Sequence, residues 1–152
     1  MEQAEIVFGG SISKEQLGRI AEAIVAQRAS ADWAEPSIRT KKEAIDLLLG
    51  FVAEKAAARV VCDPGRQMSV LTSALQENHL SYVLDTGPAG DDPTDREIFE
   101  PSKSVERGSI GGDGPSISLA ELRAEKAAGG TLDDILRKLS KLDAQPPPLI
   151  LL

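Results

Sequence analysis

Arg59-Val60-Val61-Cys62-Asp63-Pro64-Gly65 and Leu80-Ser81-Tyr82-Val83-Leu84-Asp85-Thr86-Gly87-Pro88 are two short apolar runs, each stopped by a turn-forming sequence. Such runs suit buried strands, because both faces of a covered strand must be apolar. Between them Met68, Val70, Leu71, Ala74 and Leu75 recur at helical spacing up to Asn78. Strand, helix and strand in so short a stretch predict a βαβ unit with paired parallel strands and a right-handed crossover.

Outward from this unit, the same logic organises the rest of the chain. Glu5-Ile6-Val7-Phe8 is a strand closed by Gly9-Gly10. Ser13 and Gln16 form a capping box for a helix over about 14–28, with Ile12 and Leu17 as its hydrophobic staple. Leu17, Ile20, Ala21, Ile24 and Val25 give that helix one buried face. Thr40 and Glu43 open a second helix, running to about Ala57, whose broad apolar set predicts cover on more than one side. Downstream, Glu97-Ile98-Phe99 reads as a strand and Asp113-Gly114 as a hairpin turn. Ser118 with Glu121, and Thr131 with Asp134, cap two short helices over 119–128 and 132–142, split by Gly129-Gly130. The expected fold is α/β, with α+β as the alternative. A single domain over 1–145 would hold a small mixed sheet of about four to five strands and about five helices. Residues 146–152, three prolines and then Leu149-Ile150-Leu151-Leu152, form an apolar tail. That tail must return to its own domain as an edge strand or helix cover, or dock on another chain.

Composition narrows the function. Aromatic residues make up 3 % of the 152 and the net charge is -7, so a base-stacking platform and direct nucleic-acid binding are both disfavoured. The single cysteine forms no internal disulfide and suits a reducing compartment. An acidic N-terminus and the lack of a long apolar window point to a cytoplasmic protein with no membrane contact.

Asp63 and Asp85 are the sharpest catalytic candidates. If each ended a parallel strand, the two carboxylates could share a Mg²⁺ and serve phosphate chemistry. Turn formation explains both aspartates without chemistry. Cys62 becomes a nucleophile only if a neighbour such as Arg66 lowers its pKa, and otherwise is a small buried hydrophobe. His79, the only histidine, would have to serve any triad, yet it stands at an expected helix C-terminus, a favourable place for a cation. One Cys and one His make no structural zinc site, and Asp91-Asp92-Pro93-Thr94-Asp95 fails the calcium-loop pattern. The glycines from 108 to 114 lack the Lys-Ser/Thr of a phosphate-binding loop. No metal or cofactor is therefore expected.

Charge carries the remaining signal. From Asp85 to Glu106 there are seven acids against Arg96 and Lys103. Asp91, Asp92, Asp95, Glu97 and Glu100 are accordingly the expected contact surface for a basic protein partner, for example one that handles nucleic acid. The capped helices over 118–142 and the Pro-rich end are similar to small uncharacterised proteins carried by bacterial mobile elements. This resemblance spans about a quarter of the chain, is carried by helix caps, and assigns no residue a role. It implies a bacterial accessory or inhibitory protein. The function expected is that of a non-enzymatic interaction or regulatory module, with the Mg²⁺-dependent enzyme as the alternative.

Overall fold

The computed structural model describes residues 2–63, 68–88, 94–111, 114–117 and 119–152. Among them are seven strands and five helices: β1 (Glu2–Ile12), α1 (Lys14–Gln27), α2 (Lys41–Glu54), β2 (Ala58–Cys62), α3 (Ser69–Glu77) and β3 (Ser81–Pro88). They continue with β4 (Thr94–Phe99), β5 (Glu106–Gly111), β6 (Gly114–Ser116), α4 (Leu119–Ala127), α5 (Leu132–Lys141) and β7 (Leu149–Leu151). The sheet runs β2-β1-β3-β4-β5-β6 with every neighbour antiparallel, and β7 pairs parallel with the far end of β1.

The strand–helix–strand unit is present, but its two strands do not pair. β1 lies between β2 and β3 and runs antiparallel to both, with Val60 and Leu84 each opposite Ile6. Local periodicity specifies that β2 and β3 are buried; it is silent on whether a distant strand enters between them. β1 fits there because Ala4, Ile6 and Phe8 alternate with Glu5 and Val7, so its apolar set shares a face with Val60, Cys62, Tyr82 and Leu84. The sheet is therefore a mainly antiparallel one carrying helices, and its parallel pairing is that of β1 with β7.

A second correction concerns Asp85. The Asp85-Thr86-Gly87-Pro88 sequence continues β3 instead of ending it, because β1 extends back to Glu2 and pairs with all four residues. Asp85 sits opposite Arg96 of β4 and is held by it through two hydrogen bonds of 2.7 and 2.9 Å.

Capping residues act where the sequence places them. Ser13 accepts from the Gln16 amide while the Gln16 side chain accepts from the Ser13 amide. Thr40 caps α2, and Thr131 with Asp134 closes a capping box on α5. The cap at Ser118 and the turn residues 112 and 113 lie outside the described residues; Gly111 and Gly114 pair across that turn.

Helices α1, α2 and α3 cover one sheet face over β2, β1 and β3, and the main core lies between them. Ile20, Ile24, Leu48, Leu71 and Leu75 meet Ile6, Phe8, Val60 and Tyr82 there. On the opposite face Leu142, just beyond α5, packs with Val83, Ile98, Ile110 and Ala144. Gly108 is required at this contact, since a side chain there would collide with Leu142. Arg96 fastens the same turn by donating from Nη1 to the Leu142 carbonyl at 3.0 Å.

Candidate functional site

Strand alternation places Tyr82, Leu84 and Thr86 of β3, Asp95, Glu97 and Phe99 of β4, and Arg107 and Ser109 of β5 on the helix-bearing face. Over β4 and β5 that face opens into a cleft of about 660 Å³, floored by Thr86, Asp95, Glu97, Arg107 and Ser109, with Glu121 of α4 at its wall. At the boundary between covered and open sheet lies a polar relay. Gln76 of α3 donates to the Tyr82 hydroxyl at 2.9 Å, and Tyr82 donates to Glu97 Oε2 at 2.6 Å. Arg107 Nε donates to Glu97 Oε1 at 3.1 Å. Burial first, and then the bond to Glu97, push the Tyr82 phenol far above its ordinary pKa, so it remains a donor. The Tyr82 ring stacks on Phe99 with centroids 5.5 Å apart. Sequence reasoning missed this relay, whose only signal was that Tyr82 and Glu97 stand on strands with matching alternation.

The acids between Asp85 and Glu106 are mostly matched by cations. Asp85 binds Arg96, Glu97 binds Arg107, Glu100 binds Lys103 at 2.7 Å, and Glu106 lies 3.5 Å from Lys141. Among the described residues of that segment, Asp95 is exposed and has no ion-pair partner. Asp91 and Asp92 lie outside the described residues. Glu100, beyond the end of β4, is turned to a separate hollow with Lys103 and Lys141. The five expected contact acids thus reduce to Asp95 and Glu97 as neighbours on one face.

The catalytic candidates do not come together. Asp63 follows β2, whereas Asp85 is in the middle of β3 on the face opposite Cys62, with β1 between the strands. Two strand spacings of about 4.8 Å separate those backbones, too far for one ion at ordinary ligand distances. Cys62 is 4 % exposed, its Sγ is 3.2 Å from Met68 Sδ, and burial raises its pKa to about 11. Arg66 lies outside the described residues. His79 is exposed and left-handed (φ 56°) just past the C-terminus of α3, whereas Cys62 contacts the residue that starts that helix. Nine helical residues, about 13 Å, stand between them. Among the described residues no group of three His, Cys, Asp or Glu side chains is placed to hold a metal, and no helix is long and apolar enough to cross a membrane.

No protein-family model, curated protein or solved structure matches this chain.

Proposed function

We propose that this chain is a non-enzymatic interaction or regulatory module that receives a basic protein partner in the cleft above β4 and β5. The observation that supports this reading is the state of the cleft's wall. Helix α4 buries none of its residues, and Leu119 and Leu122 are 61 % and 38 % exposed. A nine-residue helix without tertiary packing is marginal in water, so α4 gains most from a surface laid against it. Below it, Asp95 offers a carboxylate with no ion pair, flanked in register by Thr86 and Ser109. A lysine- or arginine-bearing segment lying between helix and sheet satisfies both. Inhibition of a nucleic-acid-handling protein through its basic surface is the regulatory role such a cleft suits, and an accessory protein of a bacterial mobile element is the setting.

The experiment is affinity capture with the unaltered chain and with Asp95→Lys/Glu121→Lys, both substitutions being at exposed positions. A specific partner should be retained by the unaltered chain, released between low and about 0.5 M salt, and lost by the variant. A partner held equally by both, or held regardless of salt, overturns the reading.

A further inference from the structure

The C-terminal strap is anchored at both ends and bare in the middle. At one end Leu142 is buried against Val83 and Ile98, with its carbonyl taken by Arg96. At the other, Gly10 donates to the Pro148 carbonyl at 3.2 Å, Leu149 to Ala56 at 3.0 Å and Leu152 to Ile12 at 2.8 Å. Leu149 is 1 % exposed inside the main core. The Pro147 carbonyl occupies the space where any side chain at residue 9 would begin, so Gly9 shapes the slot. Between these anchors, the backbone hydrogen bond made by residues 143–147 is a long one from Ala144 to Lys141, at 3.5 Å. Pro146, Pro147 and Pro148 have no amide to donate, and a proline run holds itself extended at about 3.1 Å per residue.

We propose that β7 is exchanged between two copies of this chain, each laying Leu149–Leu151 parallel to β1 of the other. The slot is built by the end of β1 and the turn after α2, both formed without the strap. Exchange therefore preserves every anchoring contact and alters only the course of residues 143–147. An extended proline run favours leaving the domain over doubling back, which is the conformation exchange needs. Within one copy a short linker keeps β7 at an effective concentration of order mM, so exchange belongs to concentrated protein or to a shortened hinge.

Ser11 and Ile150 are partners across the parallel ladder, at a separation that suits a disulfide. In a Cys62→Ala background, Ser11→Cys/Ile150→Cys is refolded at about 10 µM and about 1 mM, oxidised, and run on a non-reducing gel. Cross-linked monomer at the lower concentration and cross-linked dimer at the higher are expected. Deleting Asp143 to Gln145 should give dimer at both concentrations. Cross-linked monomer alone, at both concentrations and with the shortened hinge, overturns the proposal. If the cysteine variants do not fold, the unaltered chain refolded at the higher concentration decides it by sedimentation. A dimer that persists on dilution supports exchange, and monomer throughout refutes it.

Discussion

Cys62 shows what a strand position does to a reactive residue type. The thiol faces the helices beside Met68, and removing it from water penalises the thiolate more than the thiol. The sequence supported either a nucleophile or a small hydrophobe, because the apolar run Val60-Val61-Cys62 fixes burial while the neighbouring charges depend on tertiary placement. A consequence for pH follows. The folded pKa of about 11 exceeds the ordinary 9.0, so the unfolded chain loses its proton first as pH rises. Stability from this group is complete below pH 9, declines up to about 11, and amounts to about 2 to 3 kcal/mol. Chemical denaturation of Cys62→Ala should show a flat profile between pH 9 and 10, where the unaltered chain already weakens. The thiol should also ignore a disulfide reagent at pH 8 until the chain is unfolded. Prompt native-state reaction would contradict its burial.

At the scale of elements, caps and periodicity were legible and partners were not. Ser13, Thr40 and Thr131 start helices because each satisfies amides that lie within three residues, which is information held locally. Whether β2 meets β3, or where Asp85 points, depends on β1 arriving from more than fifty positions away. Glu5 and Asp85 would repel as neighbours on one face; Arg59 at 2.8 Å and Arg96 at 2.7 Å resolve that repulsion from outside. Strand β7 illustrates the same dependence. Its apolar character was plain, but its slot is assembled from β1, Gly9 and the turn after α2. Deleting Leu149 to Leu152 removes one fully buried and one half-buried leucine, about 2 to 3 kcal/mol by area. For a domain of this size the melting temperature should fall by about 5 to 10 °C. An unchanged melting temperature would show that the strap does not lie on β1 in solution.

Across the whole molecule stability is unevenly distributed. Strands β2, β1 and β3 are sandwiched against three helices, and the largest fully buried side chains, Tyr82 and Phe8, are in that half. The outer half rests on the small cluster around Val83, Ile98 and Leu142, on ion pairs such as Lys138 with Glu125 at 2.8 Å, and on α5, of which Ile135 is buried. Surface ion pairs contribute little, so α4 is tied to the molecule mainly by its connection to α5. Local opening free energies follow the number of buried contacts an element must break. Amide hydrogen exchange of the isolated protein should therefore rank β1 slowest, near the global unfolding limit. The α4 amides should exchange fastest among the helices, by about a thousandfold or more relative to β1. Adding the basic partner proposed for the cleft should slow α4 selectively, because binding supplies the packing that the monomer leaves unmade. If α4 is instead as protected as β1 at low protein concentration, its exposed leucines are already covered, and a partner is not what α4 lacks.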